Sequence, residues 1–366
     1  MKTRRLLVLI VSMLATAPPT AGQVPGRKAA ESLRFPDFSF RPPEAELRDL
    51  DGIPVLFLED RSVPLVTLFA RFKGGYALFD RSEYAAGTAL PSLLRYGGTA
   101  TMSPDSVDQV LEYYAIQTSF GGGGETVFTS LNTLTEHLPT AVRIWGTMLR
   151  QPRFDSLQLE VWRDRESESV RRRPDDPQRL AFSEFNRLLY GDHPVGWEME
   201  EADLAPERVT PSKLRDVHGR VICPENLTFG VTGDVSWSEL EPILREFLDS
   251  WPQCTDPLPE PKVPDILREA GVFVIPRDLE QAVLVMAHPT DVHLGESPSY
   301  FSAQIGNSIL GGGGFSSRIL SRVRTEEGYA YSASSLWTMP RRYEGIVGAV
   351  TRPRPENAVP ALNLIL

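Results

Sequence analysis

The chain has 366 residues, 41% of them hydrophobic, which is enough for two domains of ordinary size, each with its own core. A formal net charge of −10 leaves no basic excess to replace phosphate counterions and argues against a nucleic-acid partner. The run Arg171–Arg173 reads instead as the solvated face of a helix.

At the N-terminus, Lys2, Arg4 and Arg5 precede an apolar stretch from Leu6 to Ala17. That stretch has the length of a signal-peptide core and is short for a bilayer span. Small residues at Ala15 and Ala17, or at Thr20 and Gly22, offer cleavage points. Residues 1–22 are therefore expected to be a signal peptide and the mature protein to be exported, periplasmic or beyond. No cysteine lies nearby for a lipid anchor, and no later stretch suits a membrane span, so no stable insertion is expected after cleavage.

After a Pro-rich lead, Val55–Leu58 and Leu65–Ala70 read as two neighbouring strands joined by the polar Asp60–Val63. A helix is expected from Ser82 or Glu83 to Arg95, stopped by Gly97-Gly98, and another from Pro104-Asp105 to Tyr114. Val127–Leu134 predicts a strand, Pro139–Arg150 a helix and Leu157–Arg172 a long charged helix. A short helix at Pro211–His218, a buried-type strand at Leu227–Thr232 and a helix at Ser236–Trp251 with Ser236 as its cap complete the first half. Pro252, Pro257, Pro259, Pro261 and Pro264 rule out helix or central strand and mark a linker over 252–270. Strand pattern resumes at Val272–Ile275 and Ala282–Ala287, followed by a helix over Ser299–Leu310. The last stretch, Glu356–Leu366, reads as the opening turns of an amphipathic helix, so the second unit is expected to be incomplete.

The halves echo each other. A shift of about 216 positions carries Gly98-Thr99 onto Gly314-Phe315, and with them the helix pair on either side. Strand pair, helix, double glycine, helix and strand recur in order. The expected fold is thus α+β: two tandem duplicated α/β-roll domains, each an antiparallel sheet with helices packed on one face.

The most informative segment is Leu310–Ser335. Gly311, Gly312, Gly313 and Gly314 run into a helix carrying Arg324, and Tyr331 follows seven positions later on a strand pattern. The order places a concave backbone surface beside a cation and a phenol, with no nucleophile, base or metal ligand of its own. From the residues alone, Arg324 could equally pair with Glu326 or Glu327, with Tyr331 a sheet aromatic. The glycine run admits an anion-binding backbone nest, although no Lys-Ser/Thr follows it. An open rim that lets a peptide approach fits better. A second tetrad, Gly121–Gly124, reads as a hairpin or edge loop. Elsewhere, His288 and His293 flank Asp291, a spacing that matches no strong metal template and reads as solvated loop. No G-x-S-x-G occurs. Cys223 and Cys254 are the only cysteines; export permits a bridge, and the sequence leaves open whether they come within reach.

These runs resemble the insulinase/pitrilysin family of zinc peptidases (peptidase family M16, the inverzincins), whose signature is H-x-x-E-H. The resemblance rests on PLVTLFARFKGG at Pro64–Gly75, PRF at Pro152–Phe154, YGDHPVG at Tyr190–Gly196 and CPENLTFGVTGDV at Cys223–Val235. Most specific are ILGGGGFSSRI and VRTEEGYAYS within Ile309–Ser332. Against the family's pattern G-L-A-H-F-L-E-H-M-L-F-K-G-T, this chain reads A-G-T-A-L-P-S-L-L-R-Y-G-G-T from Ala86. The two histidine positions fall on Ala89 and Leu93, the glutamate on Ser92, and Pro91 lies between. None of the three can bind zinc or serve as its general base. The family's third ligand would fall near Glu160 or Glu166, and one carboxylate does not hold zinc.

The resemblance implies the following organisation: 23–251 as an N-terminal metallopeptidase-like domain with a degenerate zinc motif, 252–270 as linker, and 271–366 as a C-terminal domain. In the latter, Arg324 and Tyr331 match the family's substrate-positioning pair. It implies that the chain binds no cofactor itself, with zinc on an H-x-x-E-H partner subunit. The pair and the glycine loop Gly311–Gly314 would complete that partner's site for cleavage of peptides or unfolded segments. The alternative is a catalytically inactive binding or assembly protein of the same fold; an independent hydrolase with a new site is a third.

Overall fold

The computed structural model describes residues 42–295 and 297–366. The expected signal peptide lies outside them. Two sheets carry the fold. The first has six strands in the order β1-β2-β6-β3-β5-β4: β1 Glu46–Leu50, β2 Ile53–Glu59, β3 Leu65–Lys73, β4 Gln117–Gly122, β5 Thr126–Leu134 and β6 Leu227–Gly233. The second has three, in the order β7-β9-β8: β7 Leu284–Thr290, β8 Ala330–Thr338 and β9 Gly345–Pro353.

The sub-order β3-β5-β4 is repeated as β7-β9-β8, with antiparallel pairing throughout. The helices repeat as well. In the first half α1 (Tyr84–Tyr96) and α2 (Pro104–Tyr113) precede β4, and α3 (Leu138–Arg150) follows β5. Gly98 and Gly314 take the same left-handed turn, at φ 70° and 75°. The duplicated α+β organisation expected from the sequence is thus present.

Alternation along β3 explains why the helices pack where they do. Val66, Leu68, Ala70 and Phe72 are buried, while Leu65 and Phe69 face away from the core. The buried row joins Leu90, Leu93 and Leu94 of α1 with Trp145, Met148 and Leu149 of α3 in one cluster. Trp145 is buried, and its Nε1–H donates to Thr129 Oγ1 at 2.9 Å, which satisfies the indole inside the core.

The structure departs from the sequence expectations in three places, two of them corrections and one an omission. The strands β2 and β3 are not neighbours: β6 lies between them, parallel to β2 and antiparallel to β3. The short link in sequence gave no sign of a strand inserted from more than a hundred residues away. Helix α5 (Pro177–Tyr190), after α4 (Ser156–Arg172), and the charged edge strand β1 carried no strong periodic signal. Third, Val272–Ile275 is not a strand. It corresponds, at the 216-position shift, to Leu56–Glu59 of β2, which β1 and β6 hold in place. Among the described residues no strand pairs with Val272–Ile275, and Val272, Phe273 and Val274 are 87, 60 and 79% exposed.

Residues 251–283 hold no helix or strand, yet the segment is docked. Ile266 is buried with Leu189, Tyr190 and Ile346 in a cluster that spans both halves. Leu267 N–H donates to Leu189 O at 2.9 Å, and Glu260 takes Lys73 at 3.3 Å and Arg342 at 3.5 Å. A disulfide joins Cys223, after α6 (Pro211–Val221), to Cys254, with Cα atoms 5.2 Å apart. Residues 45–366 consequently form one compact unit.

Candidate functional site

Helix α1 carries the degenerate metal positions. Ala89 and Leu93 are 0% and 1% exposed and belong to the core; Ser92 is half-buried. Pro91 removes the N–H that would reach Gly87 O, and its ring faces β4, where a Cβ on Gly122 would lie 2.9 Å from Pro91 Cγ. The space that imidazoles would need is filled by packing. Glu160 is exposed on α4 and Glu166 half-buried. Zinc therefore does not fit this helix. Among the described residues, the grouping Cys223, Glu225 and Cys254 brings metal-type side chains within reach of one another. Its two sulfurs are joined in the disulfide and offer no thiolate. His288 lies on β7 with Nδ1 2.9 Å from Pro289 O, and His293 is 3.2 Å from Pro340 O, so the two imidazoles do not converge with Asp291.

The second half is built differently around the equivalent helices. Beyond α7 (Trp237–Leu248), the last helix of the first half, helix α8 (Pro298–Asn307) ends in a π-helical turn, Ser308–Gly312, after which a tight turn reaches α9 (Arg318–Leu320) and a second π turn, Ser321–Glu326. Glu327 N–H reaches back to Arg322 O at 3.1 Å and Tyr329 N–H to Val323 O at 2.9 Å. Widened turns of this kind re-aim side chains. Here the side chain is Arg324, whose guanidinium carbon lies 4.2 Å from the centroid of Tyr331 and 4.9 Å from that of Phe315. The cation is stacked between two rings, each 75% exposed. The nearby ion pair belongs to Arg322 and Glu326, so Arg324 is not taken up by Glu326 or Glu327.

Tyr331 owes its direction to a β-bulge. Ala330 pairs with Pro353 and Ala333 with Thr351, so three steps on β8 oppose two on β9. The bulge is held from β9: Thr351 Oγ1 donates to Ser332 O at 2.9 Å, and Arg352 Nε donates to Ser332 Oγ at 3.1 Å. Arg324, Phe315, Tyr331, Ser332 and Arg352 line a cavity of about 300 Å³, to which α5 adds Gln178 from the first half.

The glycines of the loop support this site without lining it. A Cβ on Gly311 would fall 2.0 Å from Ser335 N, so this glycine lets the π turn press against β8. Ser335 Oγ in turn bonds Asn307 Oδ1 at 2.5 Å. Gly313 is closed in by Ser308 O, and Gly314 supplies the left-handed turn before Phe315. The sequence reading brought out Arg324 and Tyr331 and missed Phe315, Ser332, Arg352 and Gln178. An aromatic directly after four glycines was the available signal for Phe315; nothing local marks Arg352 or Gln178.

A second cavity of about 270 Å³ lies between Gly124-Glu125 at the β4–β5 turn and Pro340–Tyr343 at the β8–β9 turn, with Tyr76 on its wall. Burial pushes the Tyr343 phenol up to about 12, with Tyr190, Glu125 and Tyr76 adding to the shift, and burial raises Tyr76 as well. Both remain neutral hydroxyls across the physiological range.

The fold is a duplicated α+β unit whose first-half helix α1 is packed into the core and whose second half presents an arginine–tyrosine surface on an open cavity. Residues 208–366 match the family described as Peptidase M16 inactive domain. The chain is 26% identical over 260 residues to an uncharacterized zinc protease of Mycobacterium tuberculosis, covering 70% of this chain and 58% of that protein. Over 280 residues it is 22% identical to the non-peptidase homolog YmxG of Helicobacter pylori, covering 76% and 64%. The chain thus spans roughly six-tenths of the length of these relatives. Its fold superposes on the crystal structure of a peptidase M16 inactive domain from Pseudomonas fluorescens with a TM-score of 0.79 at 23% identity, over 88% of this chain and 77% of that one. The periplasmic protease PqqL of Escherichia coli gives 0.74 at 16% identity, over 97% and 41%. Among the described residues no helix is long and apolar enough to cross a membrane.

Proposed function

We propose that this chain is the non-catalytic subunit of an exported, two-chain zinc peptidase. In this reading an H-x-x-E-H-bearing homologous subunit carries the zinc, and this chain supplies the substrate-handling surface for peptides or unfolded segments. The observation that carries it is the contrast within one molecule. Ala89, Ser92 and Leu93 leave nothing to hold a metal, while Arg324, Tyr331 and Phe315 converge on an open cavity beside the edge strand β8. An extended peptide can add to such an edge through its backbone, with the guanidinium and phenol donating to its carbonyl oxygens. Donors of this kind contribute most where charge develops on the oxygen during cleavage.

Co-expression with a candidate H-x-x-E-H chain, followed by a peptide-cleavage assay, tests this. Arg324→Ala should lower the rate of the complex on the order of a hundredfold, and Tyr331→Phe should lower it less. Rates unchanged by both substitutions would sink the proposal. A second reading, a peptide-holding or assembly protein without a catalytic role, is favoured by the Helicobacter pylori relative described as a non-peptidase homolog. It predicts a stable complex whose cleavage rate is indifferent to Arg324.

A further inference from the structure

The cavity beside β8 holds two guanidinium groups and no acid. Among the described residues, Arg324 forms no ion pair or hydrogen bond, and Arg352 uses only Nε, on Ser332 Oγ. None of the residues lining the cavity is Asp or Glu. Some arginines elsewhere in the chain do pair with carboxylates, among them Arg322 with Glu326, Arg81 with Asp203, Arg220 with Glu83 and Arg268 with Glu344. What sets Arg324 and Arg352 apart is that both line one cavity that contains no carboxylate.

Their geometry suits a planar anion. Phe315 and Tyr331 lie against the Arg324 guanidinium, and among the described residues no hydrogen-bond acceptor takes up its N–H groups. The Ser332 contact fixes Arg352 through Nε and leaves its two terminal nitrogens available for a forked bond to a carboxylate. Both sit next to the bulged end of β8, whose outer edge has no partner strand among the described residues.

We propose that Arg324 and Arg352 form a carboxylate-binding subsite, so that the cavity selects peptides carrying a negative group at the end that reaches the bulge. This rests on the reading of the cavity as a peptide site and names its substrate class. The carboxylate can come from an Asp or Glu side chain or from a free C-terminus.

The purified full chain, without any partner, can be tested by fluorescence anisotropy with three labelled peptides. One is neutral and amidated, the second identical but for one internal Glu, and the third neutral with a free C-terminal carboxylate. One of the two charged peptides should bind about tenfold more tightly than the neutral amide, with the advantage shrinking as salt is added. Whichever gains identifies the source of the carboxylate. Arg352→Gln should abolish the affinity ratio between the favoured charged peptide and the neutral amide, whatever it does to the neutral amide alone, and Arg352→Lys should restore part of that ratio. If all three peptides bind alike, the carboxylate subsite is wrong while the peptide site stands. If none binds, both readings fall. Should Arg352→Gln not fold, the three-peptide comparison on the unmodified chain decides alone.

Discussion

The two halves of this protein are the same unit used in opposite ways. In the first, β3, β5 and β4 are backed by regular helices, Pro91 and Leu93 pack inward, and the core runs unbroken from Leu50 to Trp251. In the second, the equivalent strands carry a thin core of Ile319, Val323, Ala330, Ala333 and Ala349. Its equivalent helices are interrupted by π turns, and a bulge breaks the ladder between β8 and β9. The first half spends these positions on packing. The second keeps exposed aromatics and unpaired cations, at the expense of regular hydrogen bonding. A helix buried as core in one half and an open arginine–tyrosine surface in the other are therefore local adjustments of one duplicated plan.

The sharpest way to break that comparison is to restore the metal motif. Ala89→His, Ser92→Glu and Leu93→His together should destabilise the chain by about 3 kcal/mol or more, because polar rings would enter a filled core. Thermal unfolding and zinc content after dialysis check this. A variant that folds normally and retains stoichiometric zinc would mean that the first half lost only ligands and kept the site's shape.

Next in size is the tie between the halves. The Cys223–Cys254 bridge closes a loop with a sequence separation of 31 and anchors the start of the docked 251–283 segment. Reduction, or paired Cys→Ser substitution, should cost about 2 to 4 kcal/mol in denaturant unfolding. Smaller again is a matched pair at equivalent positions. Gly311→Ala places a methyl carbon against Ser335 N and should cost about 1 to 3 kcal/mol, with faster amide exchange along β8. Arg95, its counterpart in the first half, lies where the chain is a regular helix. Arg95→Ala removes chiefly the pair with Asp108 and should cost no more than about 1 kcal/mol.

Much of this was legible in the sequence because it is local. The glycine pairs, the capped helices and the alternation of β3 and β5 follow from short-range chemistry, and their recurrence revealed the duplication. The resemblance pointed to Arg324 and Tyr331, which the fold brings into contact, and the absence of metal-ligating side chains at Ala89, Ser92 and Leu93 was readable residue by residue. What stayed hidden was set by distant pairing. The insertion of β6 between β2 and β3 depends on a segment more than a hundred residues away. The failure of Val272–Ile275 to become a strand reflects a missing neighbour and not its own propensity. Arg352 joins the site only because a bulge brings Ser332 across from it, and no pattern in Thr351–Arg354 announces that.

The smallest expected effect also separates the halves. His218, on α6 of the first half, is half-buried, and its Nε2–H donates to Leu149 O at 2.7 Å. Burial disfavours the charged ring and holds its pKa below the ordinary 6.5, with the bond to Leu149 opposing in part. Above 6.5 the ring is neutral in both folded and unfolded chains and contributes no pH dependence. Below it, the unfolded chain takes up a proton that the folded chain refuses, so stability falls with pH until the lower, folded value is passed. His193, nearer the surface with Nε2 at 3.2 Å from Lys262 O, is also shifted down and adds in the same direction. The unfolding midpoint should therefore decline between pH 6.5 and 5, and His218→Gln should flatten that slope more than His193→Gln, because the more buried ring pays the larger desolvation penalty. An equal slope in the parent chain and both variants would place the acid sensitivity outside the first-half core and remove this difference between the two units.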